Sequence, residues 1–258
     1  MTLKKYTTTV VSGLLLLTMS CEQNGTFDKS VSPAAKSQTK SADLNGARVS
    51  NYTFDGTEGD PITSDTATNW VANYVTTNPF GAKAYFFGSA ALKNILVQSG
   101  CMGIRIYYGL DDLGKQQLLL IGADVNGNNL SPASGISGKV SAVTLLGGQD
   151  SFGGTEGNSV SAETTKQWMA NYSGKNPQAI QAHFFGFEII NQILAEGGCT
   201  GIRIYYALNA AHVQQLLLVG ADANGASLLP ASSIGGRVAD GNTVADMSYP
   251  CPAFCPGN

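Results

Sequence analysis

A thiol, an imidazole and a carboxylate stand at Cys199, His183 and Asp222. Residues of these types brought together make a cysteine nucleophile, its general base and the group that orients the base. The first half of the chain offers Cys101 and Asp124 at the matching places, but Tyr85 where the second half has His183. At most the second half could run this chemistry. The local motifs of cysteine proteases are absent, and GC-x-G leading into a strand differs from a nucleophile presented at a helix N-terminus.

A second constellation occurs twice, as Glu58, Arg105 and Asp124 and as Glu156, Arg203 and Asp222. An arginine on the mixed face of a strand is seldom buried without a carboxylate beside it. The trio therefore reads as a structural ion pair that fixes strand register or an interface between halves. The competing reading is a ligand-binding site in which Arg105 or Arg203, with Tyr107 or Tyr205 beside it, clamps a ligand carboxylate. Presence in both halves favours the structural role, because what both halves share is first what the fold needs.

Metal and phosphate chemistry find little support. His183 and His212 are the only histidines, and a structural zinc site needs four nitrogen or sulfur ligands. The Asp-x-Asn-Gly segments lack the alternating acids and late glutamate of a calcium loop. No phosphate-binding glycine loop or nucleophile elbow is present. No metal and no cofactor is expected. Of the five cysteines, Cys251 and Cys255 close a proline-stiffened loop in YPCPAFCPGN and are expected to form a disulfide in an oxidising compartment. Cys101 and Cys199 read as small buried hydrophobes.

The elements that must position these groups come in pairs. Shifted by 98 residues, the chain matches itself without a gap, and 37 of the 74 positions from Phe54 to Gly127 are identical in the second copy. GCMGIRIYYG and GCTGIRIYYA are the clearest pair. In each copy an amphipathic helix is expected on Ala67, Trp70, Val71 and Tyr74, and on Thr165, Trp168, Met169 and Tyr172. Its N-cap is Thr63 or Ser64 in the first copy and Ser161 in the second, with Asp65 and Glu163 in the first turn. Asn-Pro ends it. A second helix follows Phe-Phe-Gly, with Phe185, Ile189, Ile190, Ile193 and Leu194 on one face and Gly197-Gly198 as its stop. GIRIYYAL alternates as a strand with one apolar face, and QQLLLVGAD is apolar on both faces, hence central. Asn126-Gly127 and Asn224-Gly225 are the dipeptide of two-residue hairpin turns. A third short strand is expected at Ser227 to Leu229. The fold class is α+β, two tandem pseudo-symmetric units, each roughly α-α-β-β with an antiparallel hairpin. The two units are either separate domains or halves sharing a core about a pseudo-two-fold, and the apolar central strand favours packing of the halves face to face.

The ends of the chain bear on location. Lys4 and Lys5, an apolar run from Val10 to Met19, and Ser20-Cys21 read as a lipoprotein-type signal over residues 1–20. Cys21 is then lipidated, as by a palmitate-type acyl chain, and becomes the first mature residue. Residues 21–51, rich in Ser, Lys, Thr, Asn and Gln, are expected to form a flexible tether. Repeat units then span 52–149 and 150–240, with a Cys/Pro-rich tail at 241–258. Charged residues make up 13% of the chain, about half the usual ~25%. Without Lys4 and Lys5 the chain carries 13 basic against 18 acidic residues. With no clustered Lys and Arg for phosphates, nucleic-acid binding is excluded as an expectation.

HFFG, GCTGIRIYY, VGADANG and the CPAFCP tail together make the chain resemble uncharacterised lipoproteins of Bacteroidetes-type bacteria with an internally duplicated domain. The resemblance covers most of the mature chain and implies no activity, substrate or catalytic residue. The expectation is a membrane-anchored lipoprotein of the cell envelope, at the outer membrane, acting as a non-enzymatic binding or scaffold module. It would meet the membrane through its lipid and an envelope protein or polymer through its modules. The alternative is a cysteine-dependent hydrolase or transferase using Cys199 and His183.

Overall fold

Thr63 and Ser161 start the two long helices. Each side-chain oxygen accepts the amide three residues on, at 3.2 Å from Thr66 and 3.1 Å from Thr164, which satisfies a donor that the first helical turn leaves open. A computed structural model of the chain describes residues 52–130, 134–141, 152–229, 242–246 and 248–251. The signal at 1–20, Cys21, the tether and Cys255 lie outside the described residues.

The described elements run in the order β1 (Asp60–Ile62), α1 (Ser64–Thr77), β2 (Ala84–Gly88), α2 (Ser89–Leu96), β3 (Gly103–Leu110), β4 (Gln116–Ala123), β5 (Gly135–Ser137) and β6 (Lys139–Ser141). They continue as β7 (Asn158–Val160), α3 (Ala162–Lys175), β8 (Ala182–Gly186), α4 (Phe187–Leu194), β9 (Cys199–Leu208), β10 (Gln214–Asp222), β11 (Val244–Asp246) and β12 (Tyr249–Cys251). The fold is α+β, with four helices and two antiparallel six-stranded sheets among the described residues.

Both sheets mix strands from the two halves of the chain. The first runs β1-β11-β10-β9-β2-β6 and the second β12-β8-β3-β4-β5-β7. Strand β2, from the first half, lies against β9 of the second, with Ala84 opposite Tyr205 and Gly88 opposite Gly201. Strand β8 lies against β3, with Ala182 opposite Tyr107 and Gly186 opposite Gly103. The largest core cluster draws on both sheets: Ile104, Ile106, Tyr108, Leu118 and Leu120 from β3 and β4, and Ile202, Ile204, Tyr206, Leu216 and Leu218 from β9 and β10. Helices α2 and α4 add Leu92, Ile95, Ile189, Ile190 and Ile193 to it. On the other faces, α1 sets Ala67 and Val71 against Tyr205, Leu217 and Val219. Trp168 and Met169 of α3 pack on Tyr107, Leu119 and Ile121. A strand covered on both faces reads as a continuous apolar run, which is what LLLI and LLLV are.

Three expectations are corrected here. The segments AYFFG and AHFFG are strands, buried at all five positions, so Phe185 belongs to β8 rather than to the helix that follows. Each half therefore holds more than α-α-β-β. A five-residue apolar run has no period that separates a buried strand from a helix. The Asn-Gly turns are not two-residue type I′ turns, which need positive φ at both central residues. Gly127 and Gly225 alone take it, each at φ 76, and among the described non-glycine residues only His212 has a positive φ. Ser227 forms a single bridge to Ala221 rather than a strand, and β11 is what pairs with β10.

The glycine that ends each Phe-Phe-Gly strand is held by close approach. A Cβ on Gly88 would stand 2.4 Å from the carbonyl carbon of Gly154, and one on Gly186 2.2 Å from the carbonyl oxygen of Gly56. The amide of Gly88 bonds the carbonyl of Glu156 at 2.7 Å and that of Gly186 bonds Glu58 at 2.8 Å. Loops 54–58 and 152–156 thus close one end of the two sheets.

Candidate functional site

Strand alternation places Arg105 with Tyr107, and Arg203 with Tyr205, on the faces turned away from the shared core. Both arginines are fully buried. Arg203 donates to the carbonyl of Gly225 at 3.0 Å, to Ser227 Oγ at 2.8 Å and to Tyr205 Oη at 3.4 Å. Its guanidinium lies 5.4 Å from the centroid of Phe152, which stacks on Phe86 at 3.7 Å. Arg105 donates to the carbonyl of Gly127 and lies 5.7 and 5.8 Å from the rings of Phe54 and Phe184. Each arginine ties the turn after one strand to its neighbour under a roof of aromatic rings, an arrangement with a cation–π component.

The carboxylates of the two trios serve loops instead. Glu156 accepts the amides of Gly153 and Gly154 at 2.6 and 2.9 Å, and Asp222 those of Asn224 and Ala226 at 2.9 and 2.8 Å. Glu58 accepts the amides of Asp55 and Gly56, each at 3.0 Å, and the Tyr52 hydroxyl. Asp124 accepts the amides of Asn126 and Asn128 at 2.9 and 2.8 Å. Burial pushes the Arg105 pKa down, against the opposing pull of Tyr107 and Asp124. Tyr107 Oη meets Asn129 Oδ1 at 3.0 Å and Tyr205 Oη meets Ser227 Oγ at 2.9 Å. These groups are closed inside the fold, and a ligand carboxylate would have to displace those bonds to reach either guanidinium.

Cys199, His183 and Asp222 are not brought into one hydrogen-bonded unit. Cys199 opens β9 in the first sheet and donates its thiol to the carbonyl of Gly201 at 3.2 Å. His183 lies on β8 in the second sheet, 1% exposed, with Nδ1 2.6 Å from Ser248 Oγ. Burial lowers its pKa to about 3, so its ring is neutral at ordinary pH. Burial also pushes the Cys199 and Cys101 thiols up, away from the thiolate a nucleophile needs. Asp222 faces Cys199 across a bulge at the end of β10, but its carboxylate is spent on the turn. Cys101 and Cys199 are free and half-buried. Cys251 is disulfide-bonded, and neither of those two is its partner; the expected partner Cys255 lies outside the described residues. No cluster of three or more His, Cys, Asp or Glu able to hold a metal occurs among the described residues.

Three features were not singled out from sequence. Glu196, just past the end of α4, accepts the amide of Thr243 at 2.6 Å, while its Oε2 is buried without a hydrogen-bond partner. Burial, opposed by that one bond, raises its pKa to about 7. Its counterpart in the first copy is Gln98, and an acid at a helix C-terminus opposes the helix dipole; that pair of observations was the available signal. Tyr74, Tyr206, Tyr108 and Tyr172 form a continuous stack, with centroids 5.2, 5.9 and 5.3 Å apart in that order. Phe80 and Leu113 stand 100% and 93% exposed, where the second copy has Gln178 and Ala211. That contrast of residue types was legible, though their exposure was not. A cleft of about 180 Å³ lies among Asn94, Gln98, Gly122, Ser134 and Ser159, smaller than the ~300–1,000 Å³ of ordinary ligand pockets. Comparison with known protein families, curated proteins and solved structures finds no match for this chain.

Proposed function

We propose that this chain is a lipid-anchored lipoprotein of the bacterial cell envelope, carried at the outer membrane by Cys21, and that its folded body is a non-enzymatic binding or scaffold module. One observation carries the non-enzymatic part. The side chains best equipped for chemistry, Cys199, His183, Asp222, Arg105 and Arg203, are each committed to separate bonds within the fold. The residues before Ser20-Cys21 support the anchor, and the low charge of the chain suits an exported protein. No observation favours the hydrolase reading, since its thiol and imidazole lie in different sheets.

In this reading the body is a tandem duplication whose two units exchange strands about a pseudo-two-fold axis. Each strand of one sheet has its counterpart 98 residues away, or in the tail, at the same place in the other sheet. The tyrosine stack supports the axis, because Tyr74-Tyr206-Tyr108-Tyr172 maps onto itself reversed. So do the bonds from Tyr74 Oη to Gln116 and from Tyr172 Oη to Gln214, both at 3.4 Å.

The test is affinity capture of the tagged, lipidated protein from its own cross-linked envelope, with partners identified by mass spectrometry. The expected result is a stoichiometric envelope partner that Cys199→Ala retains. Absence of any partner above background, together with fast alkylation of Cys199 near neutral pH, would overturn the reading.

A further inference from the structure

The cleft of about 180 Å³ opens where β5 leaves β4. Pairing of the two strands ends at Leu120 opposite Ile136, and the next amide, that of Gly135, goes instead to Thr165 Oγ1 of α3 at 3.0 Å. Asn94 of α2 and Gln98 just past it line the cleft with Ser134 and Ser159. Gln98 lies over Gly122, where a Cβ would stand 2.9 Å from its Oε1. Among the described residues none of these four side chains has a hydrogen-bond partner.

The other sheet closes the same place with its own side chains. There β11 follows β10 one pair further, to Val244 opposite Val219. Thr243 precedes β11 as Ser134 precedes β5. Its amide goes to Glu196 at 2.6 Å, and its hydroxyl accepts from Gln192 at 2.9 Å. Gln192 and Glu196 are the residues 98 positions after Asn94 and Gln98, and Glu196 Oε2 lies 2.6 Å from the Cβ position of Gly220 as Gln98 lies over Gly122. Where Ser159 of β7 stands opposite Ile136, Pro61 of β1 stands opposite Ala245. Groups that bond one another in the first sheet are thus left open in the second.

What is left open decides what fits. All nine residues that line the cleft are uncharged, so an ion would find no counter-charge there. An apolar ligand would take water from four polar side chains and give nothing back. A peptide would need a strand edge, and the strand backbone is spent: Ile136 pairs with both Leu120 and Ser159, and the Gly122 carbonyl takes the Leu130 amide at 2.8 Å. Only side chains remain to bind, two carboxamides and two hydroxyls, each able to donate and to accept. Ligand hydroxyls match that set, because they also do both, and Ile95 and Ile136 offer a surface for C–H groups. A volume equal to the share of about six waters suits one ring rather than a drug-sized molecule. We propose that this cleft binds a single uncharged sugar ring, as one unit of a glycan. The proposal rests on the binding reading above and deepens it by naming the chemistry of the partner.

The test is saturation-transfer NMR on the full chain carrying Cys21→Ser. The probes are the methyl glycosides of glucose, galactose, mannose and N-acetylglucosamine, with glucuronate, glucosamine and triserine as charged and peptide comparisons. The expected result is transfer to at least one methyl glycoside, stronger than to any of the three comparisons. Asn94→Ala with Gln98→Ala should weaken that glycoside on the order of 10-fold. Both side chains are exposed and unbonded, so the melting curve should stay that of the wild type. Ser159→Trp, which fills the cleft, should abolish the transfer. Transfer that survives these substitutions, or stronger transfer to glucuronate, glucosamine or triserine, would overturn the inference. So would no transfer to any of the four glycosides. In that case an envelope partner still captured by the tagged chain would leave the binding reading standing, and failure of the capture as well would remove both.

Discussion

Glu196 holds a carboxylate where its first-copy counterpart holds an amide, and the difference has a thermodynamic consequence. Its folded pKa is raised from 4.5 to about 7 by burial. Between those values the folded state holds a proton that the unfolded state has released. Stability therefore rises as pH falls from about 8 to 5, by about 1–2 kcal/mol if this group acts alone. His183 works in the opposite direction. Its folded pKa is lowered from 6.5 to about 3, so the stability it contributes is present above 6.5 and lost as pH falls below it. Glu196→Gln isolates the first effect. It keeps an acceptor for the Thr243 amide, reproduces Gln98, and should stabilise the protein at pH 8 while leaving stability at pH 5 nearly unchanged. Urea unfolding at the two pH values reads this directly. An equal change at both would mean that the carboxylate is not protonated in the folded state. Neither effect was visible in sequence. The Gln98/Glu196 difference was, but not the burial that gives it weight. The cysteine, histidine and aspartate were visible, but residue type carries no information on which sheet a strand will join.

At the scale of elements, the strands that the sequence hid matter most. The helices were legible because Ala67, Val71 and Tyr74 repeat at helical spacing, and because Thr63 and Ser161 cap them. The β3–β4 and β9–β10 hairpins were legible because Ile-x-Ile-x-Tyr alternates. AYFFG and AHFFG were not, since a strand buried on both faces shows no alternation. Yet these are the strands through which the two halves exchange, and each ends on a glycine pressed against a loop. Gly186→Ala puts a methyl group 2.2 Å from the Gly56 carbonyl oxygen and 2.7 Å from the Glu58 amide nitrogen. Backbone atoms cannot yield as a flexible side chain can. The substitution should cost about 1–3 kcal/mol or more and lower the melting temperature by several degrees. Ala substitution at Gly174, where a Cβ meets nothing within 4 Å, should do neither, because it sits in α3, where alanine is the better helix former. Calorimetry on the pair checks the claim. A neutral Gly186→Ala would show that loop 54–58 moves aside freely and does not brace the sheet end.

For the whole molecule, the exchange of β2 and β8 decides what counts as a folding unit. A repeat that simply followed another could be cut between the copies and leave two folded pieces. Here neither half completes a sheet. Residues 52–149 carry β3, β4 and β5 but lack β8, which lies against β3, and residues 150–251 carry β9, β10 and β11 but lack β2. Helix α1 packs on β9 and α3 on β3, so each half also lacks the helix that covers its strands. Each missing strand is buried at every position, and without it the neighbouring strand exposes a hydrogen-bonding edge as well as its face. Fragments 52–149 and 150–251 should therefore be largely unfolded as separate monomers, and mixing them should restore the native far-ultraviolet spectrum in a 1:1 complex. A homodimer of either fragment would obey the same logic, since each copy could lend its partner the missing strand. A fragment that sediments as a monomer and melts cooperatively would contradict the shared core. It would also separate two properties that the exchanged strands tie together here, the match of the sequence to itself and the indivisibility of the fold.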